Sequence, residues 1–264
     1  MRESLGKKSI FDGVADLYDL TRPEYPSPLI DDLIECSGLN TESRILEIGS
    51  GTGILTKALA FRGFTVTGIE LGSQLARKAK LNVCKFTNAT ILEGDFDTEE
   101  LDPGSYDLVV AATSYHWLDP SKRSQKIRHI LSENGTAAII ETRHIDRGRD
   151  TFPAYSQKCY LKWDKNTTAD FRLPKREEVL NEEFRYSSEF RDGFKKHLSK
   201  NYETDVKYTA SEYRKLLSTY SDIIGMQEPS REGLLECLSN MIDNDFGGYI
   251  TKSYLWQLFL IKKI

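Results

Sequence analysis

Short apolar runs alternate with segments of helical periodicity along the first 145 residues of the chain. Five runs predict β-strands, at 44–48, 66–70, 89–95, 106–112 and 136–142. A strand with one face in water would alternate apolar and polar residues, whereas these runs are apolar along their length. This alternation of buried strands and helices is typical of a parallel sheet covered by helices on both faces. We therefore predict a doubly wound α/β fold.

Local signals mark where the intervening helices begin and end. Pro28 stands in the first turn of a predicted helix, and Gly38 is placed to end that helix in a left-handed conformation. Ser73 is placed to cap the helix that follows the second strand. A further helix is predicted to be capped by Asp119, with Pro120 in its first turn and Gly135 after its end.

The pattern becomes mixed and rich in aromatic residues after Thr142. Later segments predict a strand at 206–209, helices at 211–220 and 230–243, and a closing strand at 253–261. We predict one domain overall, with a core at 1–150, an insertion or lid with C-terminal helices and a late strand at 151–252, and the closing strand of the same sheet at 253–264. Four aromatic residues either line a ligand pocket as a lid or form the insertion's own core: Phe152, Tyr155, Tyr160 and Trp163.

Charge and cysteine content narrow the class of protein. The 36 Lys and Arg residues against 40 Asp and Glu give a formal charge of −4, which argues against a nucleic-acid partner. Cys36, Cys84, Cys159 and Cys237 show no Cys-x-x-Cys pair and no nearby His at ligand spacing, so we predict reduced thiols and no metal site. The sequence has neither a run of ~18 apolar residues nor the apolar stretch of a signal peptide. We therefore expect a soluble, cytoplasmic protein with no membrane partner.

A glycine-rich turn directly follows the first predicted strand. Ligands of open α/β sheets bind outside the carboxyl ends of the strands, where Gly49, Gly51 and Gly53 lie. Glycines allow positive φ and let a ligand approach the main chain. Ile54 stands where a dinucleotide fingerprint G-x-G-x-x-G has its last glycine, so the sequence argues against nicotinamide binding.

Two acidic residues end the next two strands. Glu70, 23 residues beyond Glu47, is placed to accept both ribose hydroxyl hydrogens of a nucleoside, although a lone strand-end acid is as often a solvated surface residue. Asp95 is suited to accept from the exocyclic amine of an adenine. Phe96 either packs on that base or belongs to the core.

Taken in order, these motifs carry a family resemblance. Glu47-Ile-Gly-Ser-Gly-Thr-Gly53, Glu70, Gly94-Asp-Phe96 and Tyr106-Asp-Leu-Val-Val110 resemble the successive motifs of class I S-adenosylmethionine-dependent methyltransferases, over roughly residues 10 to 145. Tyr18-Asp-Leu-Thr-Arg-Pro-Glu-Tyr-Pro26 and His116-Trp117 further resemble the small-molecule subgroup of methyltransferase type 11 and trans-aconitate methyltransferase-like proteins. The resemblance implies a Rossmann-like, mainly parallel seven-stranded sheet with an antiparallel last strand.

The resemblance also implies S-adenosylmethionine as the cofactor and a set of residues that hold it. The glycine turn and Glu47 would hold the methionine end, Glu70 the ribose, and Asp95 with Phe96 the adenine. Tyr18 and Arg22 would lie in an N-terminal segment folded over the cofactor, or else in a surface segment held by tyrosine packing. The implied cofactor-binding residues are Tyr18, Arg22, Glu47, Gly49, Ser50, Gly51, Thr52, Gly53, Glu70, Leu71, Asp95, Phe96 and Ala112.

The acceptor side is less determined. His116 follows the fourth strand and either acts as a general base or shapes the pocket together with Tyr115 and Trp117. Arg143 begins a basic run with His144, Arg147 and Arg149, which either clamps an acidic acceptor or forms a solvated loop. Tyr115, Trp117 and Arg143 are the predicted substrate-binding residues.

The predicted activity is methyl transfer by in-line displacement to a small-molecule acceptor, and a carboxylate is among the acceptors left open. This chemistry needs no metal and no covalent intermediate, because positioning and exclusion of water supply most of the acceleration. The rival predictions are a non-catalytic S-adenosylmethionine-binding protein and a nicotinamide-dependent oxidoreductase. An open acceptor cavity beside the cofactor would favour the enzyme over the binding protein. The sequence leaves the oligomeric state undetermined.

Overall fold

Seven strands form one mixed sheet in the computed structural model, which describes residues 11–148 and 151–264. The strands are β1 (Arg44–Ile48), β2 (Thr65–Glu70), β3 (Ala89–Glu93), β4 (Tyr106–Ala112), β5 (Leu131–Ile145), β6 (Phe194–Thr209) and β7 (Tyr249–Lys263). Their order is β3-β2-β1-β4-β5-β7-β6. Strands β1 to β5 pair in parallel, and β7 pairs antiparallel with both β5 and β6. The prediction of a seven-stranded, mainly parallel sheet with an antiparallel last strand is confirmed.

Helices cover both faces of this sheet. They are α1 (Ala15–Thr21), α2 (Ser27–Ser37), α3 (Ile54–Phe61), α4 (Ser73–Val83), α5 (Arg123–Ile130), α6 (Phe152–Trp163), α7 (Arg176–Leu180), α8 (Ala210–Leu217), α9 (Ser221–Ile224) and α10 (Ser230–Asp245), with 3₁₀ turns at Asp12–Val14, Tyr115–Trp117 and Ser187–Phe190. Successive residues of β4 enter different apolar clusters: Leu108 and Val110 pack with α2 and α3, and Val109 packs with α5. Because alternate side chains point to opposite faces, both faces of β4 are buried.

Strand β5 and the helix before it differ from their predicted bounds. Helix α5 begins at Arg123, after Lys122, rather than after a cap at Asp119 with Pro120 in its first turn, and β5 begins at Leu131, before Gly135. Leu131 is fully buried and pairs with Tyr106 ahead of a register shift in the β4–β5 ladder. Pairing with a neighbouring strand therefore outweighs the polar residues at 132–134 that suggested a helix end.

The outer strands β6 and β7 are much longer than the sequence predicted. They pair along the ladder from Phe194↔Lys263 to Thr209↔Tyr249. Strand β6 lies at the edge of the sheet and carries lysines such as Lys195 and Lys196, which is common in edge strands. Because much of β6 is charged or polar, the apolar pattern of the sequence predicted only its last four residues as a strand.

The prediction that all cysteines are reduced thiols is wrong. Cys159 of α6 and Cys237 of α10 form a disulfide across 78 residues of sequence, while Cys36 and Cys84 are free. The packing of α6 against α10 brings the two Cα atoms to 5.8 Å, a distance that a disulfide spans. No spacing rule along the chain could reveal this pair.

Phe152 and Trp163 of the predicted lid pack in the apolar core, and Phe152 also lines a cavity together with Tyr160. Phe152 is buried, with its ring edge-on to those of Tyr213 and Phe246. Trp163 packs so closely on Gly233 that a Cβ there would lie 2.5 Å from the indole ring. Among the described residues, none of the helices is both long and apolar enough to span a bilayer.

Candidate functional site

The glycine turn after β1 has a backbone that only glycine adopts readily. Gly49, Gly51 and Gly53 have φ values of 68°, 57° and 82°, in the left-handed region. The Ile69 carbonyl accepts hydrogen bonds from the amides of Gly49 (2.8 Å) and Ser50 (3.0 Å), which fixes the turn to β2. A Cβ on Gly49 would lie 2.7 Å from the Cβ of Ser114, so the turn also requires glycine for space.

Glu70, at the end of β2, is held beside this turn. Its Oε2 accepts from the amide of Gly51 and its Oε1 from the amide of Gly72, both at 2.8 Å. Burial raises the pKa of Glu70, and the two amides act in the opposite direction by stabilising the carboxylate. A carboxylate has about four acceptor positions, so the side chain can accept two further hydrogen bonds.

The N-terminal segment crosses the same edge of the sheet. Oδ1 of Asp12 accepts from the amides of Gln74 (2.5 Å) and Leu75 (3.2 Å) at the start of α4. The prediction that Ser73 caps this helix is therefore wrong: Ser73 is its first residue, and a carboxylate from 61 positions earlier serves its free amides. This docking places Tyr18 at the turn, where a Cβ on Gly51 would lie 3.7 Å from its ring.

A cavity of about 440 Å³ lies above the turn, within the size range of small-molecule sites. It brings together a large share of the residues predicted for the cofactor, together with His116 and Trp117 from the acceptor set. The predicted cofactor residues that line it are Tyr18, Arg22, Gly49, Gly51, Glu70, Leu71, Asp95, Phe96 and Ala112. The predicted residues outside its lining are Glu47, Ser50, Thr52, Gly53, Tyr115 and Arg143.

Glu47 lies beneath the turn, in the core of the sheet. It is 2% exposed, and the hydroxyl of Thr56 donates to its Oε2. Burial raises the pKa of Glu47 to about 8, since few groups compensate the carboxylate there. In the described structure its contact is with α3 rather than with the cavity.

Tyr115 and Arg143 both have partners away from the cavity. Tyr115 is buried against α5, where its hydroxyl donates to Glu189 at 2.8 Å under the guanidinium of Arg123. Arg123 is 6% exposed and also forms an ion pair with Glu189. Arg143 pairs with Glu182 at 3.0 Å.

Other members of the basic run after β5 are also neutralised or lie elsewhere. Arg147 pairs with Glu203 at 3.0 Å and with Asp205 at 3.2 Å, and Arg149 lies outside the described residues. The sequence named His144 only as a member of this run, yet the structure places His144 in the lining of the cavity.

His116 lies at the exposed rim of the cavity, beside Trp117. Its pKa is below the usual value because its ring is partly desolvated and the Arg185 and Arg123 guanidiniums disfavour the imidazolium. A neutral imidazole at neutral pH can accept a proton.

Arg22 is the cation within the cavity. Its guanidinium lies 4.6 Å from the ring centres of Tyr18 and Tyr220, and its Nη2 donates to the Thr219 carbonyl at 2.7 Å. Its buried Nε has no hydrogen-bond partner among the residues that the structure describes. Buried donors are normally paired, so this atom marks a position where a ligand acceptor fits.

A second cavity, of about 350 Å³, adjoins the first. His144, Tyr220 and Asp222 line both, so we call these three residues the junction. Within it, Nε2 of His144 lies 3.3 Å from the Tyr220 hydroxyl, and the two rings are stacked. Burial lowers the pKa of His144 well below its usual value, so its imidazole is neutral.

The sequence did not reveal the second cavity. Tyr220 and Asp222 come from the segment after α8, and Tyr220 lies 76 positions beyond His144, so only the folded chain joins these residues. The one available signal was the aromatic content of the C-terminal half. Across the described ranges, no group of three or more His, Cys, Asp or Glu side chains could hold a metal ion.

Comparisons with known proteins agree on one class. Residues 45–135 match the sequence model of a family described as a methyltransferase domain. An uncharacterised methyltransferase of Mycobacterium bovis is 28% identical over 139 residues, 52% of this chain and 54% of the relative. The chain therefore spans about half the length of that relative. An uncharacterised methyltransferase of Schizosaccharomyces pombe is 23% identical over 87% of this chain and 85% of its own.

A solved structure has the same fold over the whole chain. It is an N-methyltransferase from Haemonchus contortus, in complex with phosphomonomethylethanolamine and S-adenosylhomocysteine. The TM-score is 0.54 at 17% identity, with 99% of this chain and 59% of that chain covered. At this identity the likeness establishes the α/β fold alone.

Proposed function

We propose that this chain, which carries a domain of the class I S-adenosylmethionine-dependent methyltransferase superfamily, transfers a methyl group from S-adenosylmethionine to a small-molecule acceptor. The observation that carries the proposal is a cavity over the glycine turn that shares the three junction residues with a second, adjoining cavity. A protein that only bound the cofactor would need no second space beside it.

The described residues fit the cofactor in three places. The left-handed turn leaves room where a Cβ on Gly49 would collide, and Glu70 keeps acceptor positions for ribose hydroxyls. Asp95 and Phe96 lie in the same lining, where they would contact the adenine. The unpaired Nε of Arg22 suits the methionyl carboxylate, since guanidinium and carboxylate form strong charge-assisted bonds.

S-adenosylmethionine would supply a methyl group carried on a sulfonium. An acceptor atom would form a bond to that methyl carbon in line with the breaking C–S bond, and S-adenosylhomocysteine would leave as the neutral thioether. The chain orients the two reactants and excludes water from the space between them. A carboxylate acceptor would need no base, whereas a hydroxyl acceptor would need one, and His116 is the residue proposed for that role. The proposed substrate-binding residue that meets the first cavity is Trp117.

Calorimetric titration with S-adenosylhomocysteine, and with NADH for comparison, tests the proposal. Glu70→Ala should weaken binding of S-adenosylhomocysteine about 10- to 100-fold, because a hydrogen bond to a charged group contributes about 1.5–3 kcal/mol. Glu93→Ala is the matched control, since Glu93 is the exposed residue paired with Glu70 on β3. Tighter binding of NADH, or equal loss in the two variants, would contradict the proposal.

A cytoplasmic location remains a prediction. The Cys159–Cys237 disulfide counts against it, because structural disulfides are rare in reducing compartments. Fractionation of cells that express the tagged protein would test the prediction.

A further inference from the structure

Lys252, on β7, is a cation that lines the second cavity. Its ammonium lies 5.5 to 5.9 Å from the ring centres of Tyr213, Tyr220 and Tyr254. Within the described parts of the chain, it forms no ion pair with a carboxylate inside 4.0 Å. A partly buried ammonium surrounded by aromatic rings has lost hydration without gaining an ionic partner.

The other charged groups of this cavity already have partners. Arg147 and Arg172 pair with glutamates, at 3.0 Å and 2.6 Å. Asp146 accepts from the amide of Gly148 and Asp164 from the amide of Asn166. The two arginines are neutralised by their ion pairs, whereas Asp146 and Asp164 keep their negative charge because their cited donors are neutral amides. The charged groups that act on Lys252 itself are Arg22 and Asp222.

The junction adds an excess of positive charge. Arg22 approaches it from the first cavity, where it lies over Tyr220 and makes no ion pair among the described residues. Asp222 is the acidic residue of the junction, and His144 is neutral. Around Lys252, two cations, Lys252 and Arg22, face the one carboxylate of Asp222, which favours a negatively charged ligand and disfavours an ammonium.

We propose that the second cavity binds the methyl acceptor through a carboxylate held by Lys252, with an apolar body against the surrounding tyrosines. Lys252 lines the second cavity and not the first. The anchoring carboxylate is thus separate from the acceptor atom that receives the methyl group. This acceptor atom would lie at the other end of the ligand, past His144 and Tyr220 and towards the first cavity. The inference rests on the proposed function and specifies its substrate class as a bifunctional organic acid.

The acid–base state of Lys252 supports this assignment. Burial and the charge of Arg22 lower the pKa of Lys252 to about 7, and Asp222 acts in the opposite direction. The groups that face it are Arg22, His144, Asp222, Tyr213, Tyr220 and Tyr254. A bound carboxylate stabilises the ammonium, so the affinity for it should fall as the pH rises through about 7.

Three series of ligands that match in shape and differ in the charge of one end group test the charge preference. The probes are ω-phenyl carboxylates with two to six methylenes, the matching amides and the matching amines, titrated calorimetrically into protein saturated with S-adenosylhomocysteine. At pH 6 the best carboxylate should bind about 10- to 100-fold tighter than its amide, since a charge-assisted contact is worth that ratio. Proton uptake measured in two buffers should accompany binding at pH 8.

Two lysine-to-methionine variants locate the preference. Lys252→Met should abolish the difference between carboxylate and amide, and its pH dependence, without altering S-adenosylhomocysteine affinity, because Lys252 does not line the first cavity. Lys207→Met, an exposed lysine on the adjacent strand and outside both cavities, should behave as the unmodified protein.

The outcomes separate this inference from the proposed function. If S-adenosylhomocysteine fails to bind, the proposed function fails. If it binds but no carboxylate of the panel does, if amide or amine binds as tightly, or if Lys252→Met keeps the preference, the inference alone is overturned.

Discussion

Replacing Gly49 with alanine tests whether the turn over β1 is set by backbone conformation and by space at once. Gly49 has a φ of 68°, and its missing Cβ would lie 2.7 Å from the Cβ and 3.2 Å from the Oγ of Ser114. Ser114 cannot easily retreat, because its hydroxyl donates to the Ile48 carbonyl at the end of β1. Gly49→Ala should therefore incur two separate costs.

The magnitude follows from the two terms. A left-handed conformation costs a non-glycine residue roughly 1–2 kcal/mol. Forcing an extra methyl group into a packed site costs typically about 1–3 kcal/mol more. The free energy of unfolding should fall by about 2–5 kcal/mol, and displacement of the turn should weaken S-adenosylhomocysteine binding at least ~10-fold, the effect of a 1.4 kcal/mol change.

Gly104→Ala isolates the steric term. Gly104 has nearly the same φ, 65°, but a Cβ there would have no atom within 4 Å, so this variant should lose only about 1–2 kcal/mol. Urea denaturation at fixed pH, with the disulfide intact, gives both free energies of unfolding. If Gly49→Ala is no more destabilising than Gly104→Ala, the argument from Ser114 is refuted.

Three further predictions concern groups away from the turn. Between pH 4.5 and about 8 the folded state holds a proton on Glu47 that the unfolded state releases, so the free energy of unfolding should fall as the pH rises through this window. Glu47→Gln should flatten this part of the profile of unfolding free energy against pH, measured by urea denaturation. Arg123→Ala should cost about 3–5 kcal/mol because it leaves a partly buried carboxylate without its ion pair, whereas Arg172→Ala removes a solvent-screened surface pair and should cost much less; equal urea midpoints would contradict this. Peptide mapping without reduction should recover a Cys159–Cys237 crosslink, and reduction should lower stability by up to about 4 kcal/mol for a loop of 78 residues; an intact pair of alkylated thiols at those positions would oppose it.

The sequence was most informative where structure is local. The glycine turn, the apolar strands β1, β2 and β4, and the acid at the end of β2 each depend on a few consecutive residues. Gly38 does end α2 with a φ of 71°, as its position after a helical pattern predicted. In these segments the backbone conformation and the burial of both sheet faces leave a signature that short windows of sequence carry.

Prediction failed where one segment is completed by a distant one. Asp12 rather than Ser73 serves the amides of α4, and β5 starts at Leu131 because Tyr106 pairs there. The prediction of reduced thiols failed for the same reason, since Cys159 and Cys237 lie on two helices that meet only in the folded chain. The spacing of residues along the sequence does not predict such contacts between distant segments.

The sequence alone therefore determined the doubly wound sheet, the edge of it where the cavity lies and several of the residue types that line this cavity, because strand periodicity and a glycine turn are properties of neighbouring residues. The tertiary structure decided which predicted residues reach the cavity, leaving Glu47 beneath the turn and Tyr115 on another face. It also decided that Lys252 shares a second cavity with His144, more than 100 positions away. The charge and the volume of that cavity depend on residues from elements far apart in the chain, and only folding brings these residues together.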